Sequence, residues 1–170
     1  MIDEIDRQIL NILQENARTS NAEIARQIGM APSAVLERIR KLETRGVIQG
    51  YEVRIAPEAL GLNLLAYVFV RSDEQPGEPG AGELLAQIPE VQEVHHLAGE
   101  DCYVAKVRVP DAKTLGRLLR ERVRAIGSVR STRSTIVLET LHETTRLPLG
   151  AQPVDASQSR LEPDLEEVFS

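Results

Sequence analysis

Apolar residues in the first 46 positions recur with the spacing of amphipathic helices. Asp3 is a candidate N-cap of the first helix, Ser20 or Asn21 of the second, and Pro32 begins the third. The three predicted apolar faces consist of Ile5, Ile9, Ile12 and Leu13; of Ile24, Ala25 and Ile28; and of Val35, Ile39 and Leu42. Three short helices with a tight turn before the third predict a helix-turn-helix unit, although a plain three-helix bundle has the same pattern.

After Gly46 the pattern changes to alternating strand and helix signals. Residues 47–53 indicate an extended segment, predicted to be a small wing, and Pro57 and Gly61 mark a linker. We predict strands over 64–70, 91–97, 102–109 and 129–141, and helices over 83–88 and 111–126. This βαββαβ order predicts a ferredoxin-like sandwich with two helices on one face of four antiparallel strands. The predicted fold class is α+β, a winged helix-turn-helix followed by a ferredoxin-like domain.

Four parts follow from this pattern: a helix-turn-helix domain over 1–50, a linker strand over 51–61, a ferredoxin-like domain over 62–142 and a tail over 143–170. The tail has the Pro, Ser, Gln and acidic composition of a disordered extension. Leu161, Leu165, Val168 and Phe169 nevertheless have the spacing of one helical face. The helices would leave one face of the sheet uncovered, so we expect that face to pack against a second copy and form a homodimer.

Composition narrows the class of protein. The 170 residues contain no apolar run near the ~20 residues of a membrane span, and the acidic amino terminus does not resemble a signal peptide, so we expect a cytoplasmic protein. Cys102 is the single cysteine, which excludes a disulfide scaffold. His95 and His96 would point to opposite faces of a strand and could not share a metal ion. Without a recognisable catalytic motif, we expect neither an enzyme nor a cofactor.

The net charge of -6 argues against nucleic acid as a binding partner, but the distribution of the charges along the chain does not. Residues 1–50 contain seven basic and seven acidic side chains, whereas residues 143–170 contain two basic and six acidic ones. The acidity is therefore concentrated in the tail. Basic residues cluster on the third helix, where they could contact the phosphates of double-stranded DNA.

The third helix supplies the candidate DNA contacts. Arg38 is our first choice for a base contact because a guanidinium can donate two hydrogen bonds to guanine. The alternatives for Arg38 are a phosphate contact or a salt bridge to an acid in the first two helices. Glu37 could accept from cytosine or position Arg38, and the other cations are expected to meet phosphates or water. The full set is Ser33, Ala34, Glu37, Arg38, Arg40, Lys41 and Arg45.

Several motifs resemble those of the Lrp/AsnC, or feast/famine, family of prokaryotic regulators. They are Asp3-x-x-Asp6-x-x-Ile9-Leu10, Asn21-Ala22-Glu23-Ile24-Ala25, Val35-x-x-Arg38-Ile39-x-x-Leu42-Glu43-x-x-Gly46-Val47-Ile48-x-Gly50-Tyr51, the hairpin over 99–103, and Gly127-Ser128-Val129. The resemblance covers residues 1–142 and implies an N-terminal helix-turn-helix before a βαββαβ effector and assembly domain. Two positions depart from it: Ala31 stands where a capping serine is common, and Cys102 stands where the hairpin acid is expected, with Asp101 one place earlier.

In the family that this chain resembles, the hairpin lies at a contact between dimers, where a small molecule can change the assembly. An amino acid needs a carboxylate or carbonyls for its ammonium, and N–H or hydroxyl donors for its carboxylate. The candidates are Ala98, Gly99, Glu100, Asp101, Thr132, Ser134 and Thr135. A plain β-turn beside a polar strand is the alternative interpretation.

The sequence thus predicts a sequence-specific, DNA-binding transcriptional regulator that responds to an amino acid or a related metabolite. We expect homodimers, with an octamer of four dimers as a further option. Two other hypotheses remain: an amino-acid-binding regulatory module of an enzyme, and an architectural protein that wraps DNA.

Overall fold

The computed structural model describes residues 2–73, 79–99 and 101–150, which form two compact units. The first unit contains the described residues up to Glu52 and those from Thr144 onward, and the second spans Val53–Glu143. The chain therefore leaves the first unit once and later returns to it. In the part of the chain that the structure describes, no helix is long and apolar enough to cross a membrane.

The first unit is the predicted group of three helices: α1 over Glu4–Glu15, α2 over Asn21–Ile28 and α3 over Pro32–Thr44. Asp3 and Asp6 form a reciprocal capping box at the start of α1, and Ser20 caps α2 through the Glu23 amide. Among the described residues, no side chain caps α3, which begins after Ala31, as the missing serine predicts. The buried core consists of Ile9, Ile24, Ala25, Val35 and Ile39.

The predicted wing over 47–53 is wrong, because no strand forms there in the described chain. The amides of Val47 and Ile48 both donate to the carbonyl of Leu42 and close the end of α3. Tyr51 then donates its hydroxyl to Oε1 of Glu43 at 3.0 Å. Since these groups bind α3, they hold the segment against the helix instead of in a strand ladder.

The second unit contains the predicted βαββαβ succession. Its elements are β1 over Leu64–Ser72, α4 over Ala81–Ala86, β2 over Val91–His96, β3 over Tyr103–Val109, α5 over Ala112–Leu118 and β4 over Val129–Ile136. The strands pair antiparallel in the order β2-β3-β1-β4, which confirms the ferredoxin-like prediction.

Alternation along the two central strands separates the faces of the sheet. Ala66, Val68 and Val70 on β1 are buried in one core with residues of α4 and α5. The intervening side chains face the other way, and Tyr67 is 37% exposed there. We call this second surface, which includes Tyr67, Phe69, Lys106 and Arg133, the open face.

Several predicted element bounds need correction, and α4 spans Ala81–Ala86 instead of 83–88. β4 ends at Ile136 instead of Leu141: Ile136 pairs with Ala66, the Val137 amide still donates to the carbonyl of Leu65, and β1 begins one residue before Leu65, so it offers no partner for residues as far as Leu141. α5 ends at Leu118 and continues as a π-helical turn over Leu119–Val123. The expected linker strand over 51–61 is not a strand either, and its fixed-φ proline begins a short 3-10 helix over Pro57–Leu60.

The described part of the tail, residues 144–150, has no helix or strand. It is tied to α1 by a reciprocal pair of hydrogen bonds. Nε2 of Gln14 donates to the carbonyl of Leu147 at 3.1 Å, and the amide of Leu147 donates to Oε1 of Gln14 at 2.7 Å. The helical spacing over 161–169 lies outside the described residues.

Candidate functional site

The candidate DNA contacts all lie on α3 or directly after it. Val35, Ile39 and Leu42 are buried, so they fix which side of the helix faces the core. Helical spacing places one group of side chains opposite these three and therefore on the solvent side: Ser33, Glu37, Arg40 and Lys41. Arg38 and Ala34 lie on the flank that faces a groove, and both are half-buried.

Arg38 is occupied by two carboxylates of the first helix. Its Nη1 lies 2.7 Å from Oδ2 of Asp3 and 2.7 Å from Oδ1 of Asp6. Hydrogen bonds to Asp3 and then Asp6 raise the pKa of Arg38 above its usual range. Two hydrogen bonds lower the pKa of Asp3: the larger effect comes from the amide of Asp6 and the smaller from Arg38. Arg38 therefore forms a salt bridge to acids of the first helix, which is one of the alternatives to a base contact.

The exposed cations of α3 have different surroundings. Nζ of Lys41 lies 2.6 Å from Oε1 of Glu37, one helical turn earlier, and this hydrogen bond lowers the pKa of Glu37. Glu37 thus pairs with Lys41, whereas our alternative had it position Arg38. Both side chains of the pair are about two-thirds exposed. Arg40 and Arg45 are exposed too, so α3 can present three cations to phosphates.

The predicted effector hairpin is joined to the last strand by an ion pair. Nη2 of Arg133 donates to Oδ2 of Asp101 at 2.8 Å. The guanidinium of Arg133 also lies over the ring of Phe69, 4.1 Å from its centre. Gly99 has a φ of +155°, a backbone angle that side-chain-bearing residues rarely adopt. Ala98 lies beside it in the same turn, and Glu100 lies outside the described residues.

The three hydroxyl candidates on β4 do not converge. Thr132 pairs with Val70 and Ser134 with Val68, so both point toward the side of the sheet that carries the helices. Thr135 pairs with Tyr67 and therefore lies on the open face, together with Arg133. The structure brings Arg133 to the hairpin acid, and sequence reasoning missed this residue although it stands between two candidates.

A second charged cluster was also missed. Lys106 lies on the open face, is 8% exposed, and donates to Oε1 of Glu93 at 3.0 Å and to Oε1 of Glu143. These hydrogen bonds lower the pKa of both carboxylates, and Glu143 is the largest cause of the raised pKa of Lys106. A groove of about 570 Å³ adjoins the cluster and is also lined by Arg54 and Arg108. The signal was Lys106 in the mostly apolar strand β3, whose other charged residue is Arg108.

The two histidines make separate contacts. The ring of His96 stacks on Tyr103 with ring centres 4.8 Å apart, whereas Nε2 of His95 lies 3.4 Å from Oε2 of Glu93. Sγ of Cys102 contacts the backbone of Ser72, donating to its carbonyl and accepting from its amide at 3.4 Å. The cysteine is half-buried, as a packing residue would be.

Comparison with known proteins agrees with both units. Residues 2–43 match the model of the AsnC-type helix-turn-helix domain, and residues 65–147 match that of the Lrp/AsnC ligand binding domain. The leucine-responsive regulatory protein of Escherichia coli is 38% identical over 150 residues, which are 86% of this chain and 90% of that protein.

Two solved structures are similar over almost their whole length. A feast or famine regulatory protein from M. tuberculosis, complexed with L-methionine, is 41% identical with a TM-score of 0.79, covering 86% of this chain and 99% of that one. A transcriptional regulator from Neisseria meningitidis, also in complex with L-methionine, is 29% identical with a TM-score of 0.80, covering 88% and 97%. These relatives are regulators of transcription, and the chain described here belongs to the Lrp/AsnC family.

Proposed function

We propose that the first unit binds double-stranded DNA sequence-specifically through α3 and that the second unit makes this binding responsive to an amino acid or a related metabolite. The proposal that the first unit binds DNA rests on the solvent side of α3. It presents Ser33, Glu37, Arg40 and Lys41 on a helix whose opposite side is fixed by the core. A helix in this position of a helix-turn-helix enters the major groove. A regulator of this kind acts on the chromosome, so we expect it in the cytoplasm.

Fluorescence anisotropy of the full chain on labelled duplexes tests DNA binding. We expect affinity to fall steeply with salt, because cations that meet phosphates release counterions. Lys41→Ala should weaken binding to all sequences and reduce the salt slope by about one unit. Lys113→Ala, an exposed lysine on α5, is the matched control and should leave the slope unchanged.

The other two hypotheses give different outcomes in this experiment. If the chain binds no duplex at any salt concentration, the DNA-binding half is contradicted and a regulatory module of an enzyme is favoured. If it binds random duplexes as tightly as duplexes selected from a randomised pool, an architectural, DNA-wrapping role is favoured.

The ion pair between Asp101 and Arg133 supports amino-acid sensing. A free amino acid carries the same two charges as this pair: its ammonium can take the place of Arg133 at Asp101, and its carboxylate the place of Asp101 at Arg133. The pair lies beside the hairpin on the exposed part of the sheet, with the Arg133 side chain 60% exposed. In a single protomer, a ligand can therefore reach both charges without opening the core.

Calorimetry of the full chain against the twenty amino acids tests this site. We expect Asp101→Asn and Arg133→Met each to weaken the best ligand about tenfold or more, because each removes a charged hydrogen-bonding partner. Asp73→Asn and Arg130→Met are matched controls: Arg130 lies on the same strand as Arg133, and its exposed ion pair with Asp73, which spans 3.3 Å, does not involve the hairpin. If no amino acid binds the unchanged chain more tightly than millimolar, the sensing half is contradicted.

We also propose that the chain forms homodimers through the open face. Tyr67 is exposed in the middle of that face, and the segments that flank the sheet expose apolar side chains, with Val53 at 85%, Leu138 at 98% and Leu141 at 87%. Exposed apolar side chains on and beside an uncovered sheet face are typical of an interface. An octamer of four such dimers remains a further prediction.

A further inference from the structure

We propose that Arg38 positions the recognition helix α3 on α1 and does not read a base. This inference rests on the proposed DNA binding and assigns one residue a role within it. It reverses our first choice for Arg38, and its basis is the geometry of two aspartates at the start of the chain.

The aspartates and the arginine form a closed set of hydrogen bonds. Oδ1 of Asp3 accepts from the amide of Asp6 at 2.8 Å, and Oδ2 of Asp6 accepts from the amide of Asp3 at 3.3 Å. The two remaining oxygens, Oδ2 of Asp3 and Oδ1 of Asp6, both accept from Nη1 of Arg38 at 2.7 Å. One oxygen of each carboxylate therefore caps α1, and the other holds α3.

Electrostatics favours this arrangement over a free guanidinium. Asp6 is 7% exposed, so its carboxylate is largely removed from water and needs a partner. If Arg38 swung out to a guanine, it would leave this buried carboxylate without its cation. Such a loss is far more costly than the loss of an exposed ion pair, because water does not replace the partner.

The clamp also supplies what the start of α3 lacks. No side chain in the described part of the chain caps α3, and the helix is held to α1 and α2 mainly by its apolar face. A helix held only by apolar contacts can rotate or slide slightly, since those contacts have little directionality. The two short, charged hydrogen bonds at Arg38 fix the rotation of α3 about its axis. They thereby set where Ser33, Glu37 and Lys41 point.

A positioning role and a base-reading role predict different binding data. A base contact gives a preference for guanine at one position, and its loss relaxes that position alone. A positioning contact affects every contact made by α3. Its loss should weaken binding to the selected duplexes, lower the sequence preference at every position that α3 reads and not at one position alone, and leave the salt slope nearly unchanged because the phosphate-contacting cations remain.

The experiment compares Arg38→Met, Asp6→Asn and the double variant in the full chain. Duplexes bound by the wild-type chain are first selected from a randomised pool, and affinities for the selected and random duplexes are measured by anisotropy. We expect each single variant to lose about tenfold in affinity, equivalent to about 1.4 kcal/mol, and the double variant to lose about tenfold and not a hundredfold. Arg38→Lys should recover part of the loss, because it keeps the cation.

Arg7→Met is the matched control, since Arg7 pairs with Glu4 on the exposed side of α1 at 3.6 Å and should not affect binding. Thermal unfolding fixes a temperature at which every variant is folded. The proposal would be overturned if the affinity losses of the two single variants added up in the double variant. It would also be overturned if Arg38→Met relaxed a preference for guanine that Asp6→Asn kept. Normal affinity of folded Arg38→Met would overturn it too, because the clamp would then be a stability device only. If the wild-type chain binds no duplex, the DNA-binding function itself fails instead.

Discussion

At the scale of single residues, Lys106 shows how one buried cation links separate parts of the second unit. Glu93 lies on the neighbouring strand, and Glu143 is the last residue of the unit. Lys106 joins both to the centre of the sheet. Sequence patterning locates such a lysine on a strand, but it does not identify carboxylates that are 13 and 37 positions away.

We predict that this cluster makes the stability of the second unit depend on pH in the acidic range. Lys106 lowers the pKa of Glu93 and of Glu143 below the ordinary value of 4.5. The unfolded chain then takes up protons more readily, so the stabilisation is complete above pH 4.5 and is lost as the pH falls through the lower folded values. Urea unfolding of the full chain at pH 7, 4.5 and 3.5 measures this dependence.

Lys106→Met is the informative variant in that series. It removes the cation that lowers both pKa values, so its stability should fall less between pH 4.5 and 3.5 than that of the wild-type chain. Lys113→Met, on the surface of α5, is the control and should retain the wild-type slope. Equal slopes in all three chains would show that the cluster does not couple folding to protonation.

At the scale of elements, two helical glycines of the second unit differ in what surrounds them. A Cβ built on Gly82 of α4 would lie 2.5 Å from Cε1 of Tyr103, a ring that is already stacked on His96. A Cβ on Gly116 of α5 would meet only the end of the flexible Arg120 side chain, at 3.4 Å. Gly82 therefore permits close packing of α4 on the sheet, whereas Gly116 has no such role.

We predict opposite effects when each glycine is replaced by alanine. Gly82→Ala should lower the free energy of unfolding by about 1 to 3 kcal/mol, because the crowded ring must shift. Gly116→Ala should raise it by about 0.5 to 1 kcal/mol, since alanine loses less backbone entropy in a helix. Urea unfolding of both variants beside the wild-type chain measures the two changes. Stabilisation by Gly82→Ala would contradict the described contact between α4 and Tyr103.

Elements that depend on local signals were predictable, and those that depend on distant partners were not. The caps Asp3 and Ser20 and the glycine stop at Gly29 act within one turn of their helices, so the sequence placed α1 and α2 closely. The predicted β4 extends five residues too far, because its end depends on its pairing with β1, which stops at Ala66. The same limit applies to Arg38, whose partners lie 32 and 35 residues earlier.

At the scale of the whole molecule, we predict that the full chain is a dimer in solution through the open face. The change is Tyr67→Glu, which places a carboxylate in the middle of that face without disturbing the core on the other side. We expect sedimentation velocity to show a dimer for the wild-type chain and a monomer for this variant at the same concentration. The added carboxylate would lose its hydration in the interface, and Lys106, its cross-strand neighbour, is already held by Glu93 and Glu143.

Lys113→Glu provides the comparison for this measurement. It introduces the same charge on the helical side of the second unit, where no interface is proposed, and should remain dimeric. A wild-type monomer, or a dimer that both variants retain, would remove the open face from the assembly.

The ends of the second unit lie close together: Nη2 of Arg54 donates to the carbonyl of Glu143 at 3.3 Å. A unit whose entry and exit are neighbours behaves as an insertion within its host, and its own ends can be joined by a short linker without strain. New termini could then be opened elsewhere, for instance after Gly127, to give a circularly permuted sensor. Because its ends are close, this unit could also be exchanged between related chains, so that sensor domains of different specificity are joined to the same DNA-binding domain.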